Sequence, residues 1–136
     1  MIKEIYLAGG CFWGTEHYFK QVRGVISTSA GYANGTTPNP TYEEVYTDRT
    51  GYAETVKICY DTEVVELRLL LELFFRSIDP TSLNRQGGDI GTRYRTGIYY
   101  TSKDDLHTIE EVYRDIERIV GEELMVEVEP LSSFYT

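Results

Sequence analysis

Hydrophobic residues recur along this chain at two periods, and the switches between them mark its elements. Residues 2–8 (Ile-Lys-Glu-Ile-Tyr-Leu-Ala) read as a buried strand that Gly9 and Gly10 break. From Cys11 the spacing turns helical: Phe12, Phe19 and Val22 fall on about one face, and Gly24 stops the run. Residues 25–32 alternate apolar and polar. Residues 54–60 do so cleanly, with Val56, Ile58 and Tyr60 on one face and Thr55, Lys57 and Cys59 on the other. Helical spacing returns over 64–78 (Leu67, Leu71, Phe74, Ile78) and ends at Asp79-Pro80. Residues 97–101 predict a short strand. Ser102 and Asp105 resemble a capping box, with Asp where Glu is usual, ahead of a helix marked by Leu106, Ile109, Tyr113, Ile116 and Val120 and closed by Gly121. Leu124, Val126 and Val128 make a last alternating strand.

Two stretches have neither period. Residues 33–53 carry the turn signals Asn34-Gly35, Pro38, Pro40 and Gly51, and residues 81–96 carry Gly87, Gly88 and Gly91. Both read as long polar loops. The aromatics Tyr42, Tyr46 and Tyr52 in the first point to function, since long ordered loops in small domains are functional more often than not. The resulting order, β-α-β-β-α-β-α-β, predicts an α+β fold: helices packed on a mixed or antiparallel sheet in a ferredoxin-like, two-layer arrangement. The two loops and the Gly-Gly-Cys turn are expected to meet at one end of that sheet.

A length of 136 residues, with no repeat, linker or low-complexity tract, fits one domain over 1–136. The net charge of −9 argues against binding nucleic-acid backbones. No apolar run is long enough to span a bilayer, and no membrane partner is expected. Met1-Ile2-Lys3-Glu4-Ile5 lacks the pattern of a secretory signal, which gives the expectation of a cytoplasmic protein. Two cysteines, Cys11 and Cys59, are too few for a disulfide scaffold or a four-ligand zinc site. Cys11, His17 and His107 add up to three zinc ligands on paper, but nothing in their spacing favours it, and neither metal nor cofactor is expected. The 12 tyrosines are an excess, and some can line a polar pocket.

Gly10-Cys11-Phe12-Trp13-Gly14 carries the most chemistry. A cysteine where a strand turns into a helix meets unpaired N–H groups and the positive end of the helix dipole, both of which favour the nucleophilic thiolate. Glycines on either side allow close approach, and two aromatics beside a nucleophile can form an apolar pocket. A core cysteine among core aromatics explains the same residues equally well. His17 invites a Cys–His dyad, but it lies six residues on, roughly 240° around the helix from Cys11. It and His107 read as surface residues.

Gly-Cys-Phe-Trp-Gly is similar to the signature of type A peptide methionine sulfoxide reductases. Further matches follow at Gly31-Tyr32-Ala33-Asn34-Gly35, Pro40-Thr41-Tyr42-Glu43-Glu44-Val45, Thr50-Gly51-Tyr52-Ala53-Glu54 and Gly88-Asp89-Ile90-Gly91-Thr92-Arg93-Tyr94-Arg95. The resemblance runs from about residue 5 to Phe134-Tyr135. It implies an oxidoreductase that repairs oxidised methionine, free or in proteins, with selectivity for the S epimer of the sulfoxide. Cys11 would be the nucleophile that becomes a sulfenic acid. Phe12 and Trp13 would pack around the S-methyl group. Glu54 would be the general acid, Tyr42 and Tyr94 would hydrogen-bond the sulfoxide oxygen, and Asp89 would help hold the substrate backbone. Without the resemblance Glu54 reads as an edge-strand charge, Tyr42 and Tyr94 as turn-packing aromatics, and Asp89 as the cap of a glycine-rich turn.

Members commonly continue past the Phe-Tyr pair with an acidic segment containing Tyr-His, and often with recycling cysteines. This sequence ends at Thr136, so contacts from such a segment near the site are expected to be missing. Cys59 is the only internal candidate to resolve the sulfenic acid. It lies five residues beyond Glu54 and on the other strand face, about 16 Å along an extended strand, whereas a disulfide needs Cα atoms within about 7 Å. It is therefore expected to be a buried strand residue, with thioredoxin, glutaredoxin or a small thiol regenerating Cys11. Two other classes compete: a one-cysteine peroxidase or cysteine acyl-transfer enzyme, and a module that binds sulfoxides or apolar peptides without turning them over.

Overall fold

In the structure, a computed structural model, residues 1–37, 40–48 and 50–136 are described. Pro38, one of the turn signals of the first loop, lies outside them. The elements are β1 (Ile2–Gly9), α1 (Phe12–Lys20), β2 (Val25–Ala33), α2 (Tyr42–Tyr46), β3 (Ala53–Asp61), α3 (Leu67–Ser77), β4 (Arg85–Gln86), β5 (Asp89–Ile90), a 3-10 turn at Thr92–Tyr94, β6 (Thr96–Tyr100), α4 (Asp104–Val120), β7 (Glu127–Pro130) and β8 (Phe134–Tyr135).

The main sheet runs β7-β6-β1-β3-β2-β8. Its four central strands, β6-β1-β3-β2, pair antiparallel with one another, with Leu7 opposite both Val56 and Ile98. This is the expected ferredoxin-like arrangement. The sheet is mixed because β7 pairs parallel to β6, and the intervening α4 supplies the crossover that a parallel pair requires.

Strand alternation sorts the core onto two faces. Ile5, Leu7, Val56, Ile58 and Ile98 point at the helices and pack with Phe19 of α1, Leu70, Leu71 and Phe74 of α3, and Ile109 and Val112 of α4. Tyr6, Ala8, Ala33, Ala53 and Tyr99 point the other way, under Leu131 and Phe134. The chain therefore covers its second face with its own last residues. Pro130 and Phe134, on opposite outer strands, are four residues apart and so at most about 14 Å apart. Five flat inter-strand spacings would need about 24 Å, so the sheet must curl. Asn34, in the left-handed region at φ 55°, fastens the crossing segment. Its amide nitrogen donates to the Pro130 carbonyl at 3.1 Å, and its oxygen accepts from Ser132 N–H at 2.7 Å and Ser132 Oγ at 3.0 Å.

The loops contain more structure than their patterns predict. A capping box forms, but at Thr41 and Glu44 at the start of α2. At α4 it does not: Ser102 Oγ accepts weakly from Asp104 N–H at 3.3 Å, and the Asp105 side chain is buried against Lys3. The Lys3 ion pair engages Oδ1 and holds the Asp105 side chain in a buried position, where Oδ2 has no hydrogen-bond partner and does not reach back to the helix end. The second loop folds into the β4–β5 hairpin and the 3-10 turn, whose pieces are too short to show a period. The strand expected from Leu124, Val126 and Val128 is β7, which begins only at Glu127, three residues after Leu124, which is buried ahead of it; the short β8 follows.

Candidate active site

Gly9 ends β1 opposite Thr96 at the start of β6, and Ala33 ends β2 opposite Ala53 at the start of β3. The Cys11 turn and both long loops thus gather at one end of the sheet, as expected.

Cys11 is the N-cap residue of α1, with an extended backbone (φ −60°, ψ 122°) and no side-chain capping bond. Its thiol is free and half-buried. Gly10 precedes it at φ +87°, and a Cβ there would lie 2.8 Å from Cβ of Gln86. Only glycine fits that approach. Gln86 is itself tied to Asp79 by bonds to its backbone N–H and carbonyl at 2.9 and 2.8 Å. The hairpin therefore rests against the neck of the cysteine turn.

The helix start that Cys11 leaves uncapped is capped by Glu54. The Phe12 N–H donates to Glu54 Oε1 at 3.1 Å, forty-two residues away in sequence. Glu54 lies on β3, between β1 and β2, and is only 4% exposed; it is not an edge charge. Burial pushes its carboxyl above the usual carboxylate range, the Phe12 N–H and the charge of Arg93 pull it back, and Asp89 adds an upward push. Tyr32 stands directly opposite Glu54 on β2. Its ring packs 5.5 Å from that of Phe12. Its hydroxyl is pushed up to about 12 by burial, then by Glu54, with Tyr42, Glu43 and Tyr94 contributing.

The other expected site residues surround this pair. Phe12 is buried, and Trp13 meets it edge-on at 5.0 Å while remaining 67% exposed. Tyr42 is exposed at the first position of α2. Tyr94 is half-buried in the 3-10 turn, its hydroxyl pushed up first by burial and also by Glu54 and Asp89. Asp89 is exposed on the hairpin and, with Cys11, Gly14, Thr15, Tyr18 and Gln86, lines a cavity of about 450 Å³. A larger groove of about 720 Å³ runs between α3 and α4, away from these residues.

The remaining candidates lie elsewhere. His17 is exposed on α1, and His107 is exposed on α4, 3.8 Å from Glu111. Among the described residues no three His, Cys, Asp or Glu side chains gather into a metal site. Cys59 sits opposite Glu4 of β1 and Ser27 of β2. It is half-buried, not buried as expected, because the segment that covers the second face does not reach it. Five residues of β1 separate the level of Cys59 from Gly9, about 17 Å along the strand.

Two residues of this neighbourhood were not singled out from sequence. Tyr32 is placed by strand register, which a sequence does not print. Arg93 is 8% exposed and lies between the rings of Tyr46 and Tyr94, 4.3 and 4.5 Å from their centroids. An arginine in a glycine-rich loop gives no sign that it will be buried.

A family model described as peptide methionine sulfoxide reductase matches residues 3–136. The chain belongs to that family. The reductase is 52% identical to the peptide methionine sulfoxide reductase MsrA of Lachnoclostridium phytofermentans, across 99% of this chain and 81% of the relative. Its fold superposes on the reduced form of Mxr1 from Saccharomyces cerevisiae with a TM-score of 0.93 at 36% identity, covering 98% of this chain and 78% of that one. Mxr1 has also been solved in complex with Trx2, and that form aligns with a TM-score of 0.75 at 29% identity over 98% of this chain and 79% of the other. The reductase is thus an enzyme of the oxidoreductase class, of a family that acts on methionine sulfoxide. No helix among the described residues is long and apolar enough to cross a membrane.

Proposed function

We propose that this reductase returns the S epimer of methionine sulfoxide, free or in peptides, to methionine through a sulfenic acid on Cys11. The observation that carries the reading is the buried Glu54 carboxyl, bonded to the N–H of the residue that follows the cysteine. A sulfoxide oxygen leaves only once it has taken a proton, and a carboxyl whose proton is held more tightly than usual is suited to deliver it near neutral pH. Glu54 protonates that oxygen as the Cys11 thiolate attacks sulfur. The hydroxyls of Tyr42 and Tyr94 donate to the same oxygen and stabilise the charge that develops there. Phe12 and Trp13 enclose the S-methyl group, and Asp89 holds the substrate backbone. Two electrons pass from sulfur to sulfur: thiol and sulfoxide become sulfenic acid and thioether.

The cycle then needs two thiol equivalents, which leave as a disulfide while the oxygen departs as water. Cys59 lies too far along the sheet to serve. Thioredoxin fits this role, in keeping with the Trx2 complex of Mxr1, and glutaredoxin or a small thiol offers the same chemistry. A cycle that runs on reduced thiols suits a reducing compartment such as the cytoplasm.

A single-turnover assay with an S-epimer peptide sulfoxide and no added reductant tests the reading. The parent should give one methionine per enzyme and Cys11→Ser none. Glu54→Gln should be slower by about 100-fold or more, the usual range for a lost general acid. No burst from folded parent, or equal rates with the R epimer, would overturn it.

A further inference from the structure

Arg93 has no role in the chemistry above, yet its placement is costly unless something uses it. A buried guanidinium is tolerated only when its charge is compensated. Here Asp48 compensates it: Nη1 donates to Asp48 Oδ2 at 2.8 Å and to the Tyr46 carbonyl at 3.1 Å. Asp48 also accepts from the Arg93 N–H at 3.1 Å and from Thr92 Oγ1 at 3.2 Å. It does so from a left-handed backbone at φ 59°. Gly91 makes room for it: at φ +139°, a Cβ on that residue would lie 2.6 Å from Asp48 Oδ2. The two tyrosine rings close on the guanidinium from α2 and from the 3-10 turn, as cation–π partners. One side chain thus joins the end of α2 to the turn that carries Tyr94. The same turn packs against β3, and Arg95 adds a bond of 2.8 Å to the Gly51 carbonyl just before that strand.

We propose that Arg93 is a positioning residue for the reduction: clamped between Tyr46 and Tyr94, it holds Tyr94 at the site and fixes a positive charge on the turn that packs against β3, the strand that carries Glu54. The inference rests on the reading of Glu54 and Tyr94 given above. The groups that act on Glu54 or stand beside it are the Phe12 N–H from α1, Tyr32 from β2, Arg93 and Tyr94 from the 3-10 turn, and Asp89 from β5, with Tyr42 and Glu43 of α2 acting on Tyr32. Arg93 is the one cation in that set. It offsets part of the upward push of burial and Asp89.

The test uses carboxyl-carbon NMR of protein labelled at glutamate, with the Glu54 signal assigned by its loss in Glu54→Gln, beside single-turnover rates at saturating and limiting sulfoxide. In Arg93→Met and Arg93→Gln the Glu54 midpoint should rise by about one unit, the low end for loss of an opposite charge. The rate at saturating sulfoxide should fall about tenfold, with little change in the concentration giving half that rate. Arg93→Lys should keep the parental Glu54 midpoint, because its charge remains. It should still be slow, because an ammonium cannot stack flat between two rings. An unchanged Glu54 midpoint in both neutral variants, or a parental rate in Arg93→Lys, would overturn the proposal. A parental burst from Glu54→Gln would instead remove Glu54 as the acid, and the NMR midpoints would still report on Arg93.

Discussion

Glu54 sits where its charge is costly to the fold. Its folded-state value lies above the ordinary 4.5, so the folded protein holds this proton more tightly than the unfolded chain does. Well below pH 4.5 both states are protonated and no penalty arises. The penalty grows as pH climbs from there through the raised folded value, and above that value it is complete. Glu54→Gln keeps an oxygen for the Phe12 N–H and cannot ionise. It should therefore melt above the parent near neutral pH, with the gain disappearing as pH falls below about 4. Calorimetry across that range checks the sign, and a variant less stable than the parent at every pH would refute it. At this scale the sequence is legible where identity alone carries chemistry: a cysteine between a strand and a helix needs no partner to be noticed. Glu54 is a different case. Alternation puts it on a strand but does not say that the strand is central or that its carboxyl reaches a helix start forty-two residues earlier. Tyr32 and Arg93 were invisible for the same reason, since burial and register belong to the folded chain.

Elements of regular length were readable because each must bury one face, and the period records which. Both long loops resisted this reading. A five-residue helix, a hairpin of two-residue strands and a 3-10 turn have no period to show; caps and side-chain bonds hold them instead. The capping-box pattern recurs in this chain, and tertiary packing decided which copy forms: Thr41 and Glu44 pair with each other's backbone, whereas the Asp105 side chain is buried against Lys3. Asn34 is the loop residue with the largest structural effect. Loss of its side chain removes four bonds, to Pro130 at the end of β7 and to Ser132 and Ser133 ahead of β8. Asn34→Ala also places a less tolerant residue at positive φ. A loss of about 1–3 kcal/mol is expected in urea titrations. Amide exchange should quicken first at Phe134 and Tyr135, which pair with Ala33 and Tyr32. Uniformly faster exchange across the sheet would show that the bonds do not act locally.

Over the whole molecule, the curled sheet separates the two cysteines. Cys11 opens at the loop end on the helix side, and Cys59 lies toward the other end on the far face. Cys59→Ser should therefore leave turnover with an external thiol unchanged. Mass spectrometry after one equivalent of sulfoxide should find an oxygen atom added at Cys11 and no bridge to Cys59. A disulfide that forms in the parent and is lost in Cys59→Ser would overturn this. The core is a single unit on the helix side, and Phe74→Ala, at 0% exposure, should cost about 3–5 kcal/mol. The order of the strands in the sheet also differs from their order in the chain. β1 lies in the middle, β6 is made some ninety residues later, and β7 and β8 come last, one to each outer edge. On a ribosome, which releases the chain from its beginning, the central strand must wait with one or both edges open until nearly all the sequence has emerged. A nascent chain stalled before β7 would hold its nucleophile in an unfinished, sticky sheet. This enzyme should therefore depend on chaperones for most of its synthesis and gain activity only after β8 has left the exit tunnel.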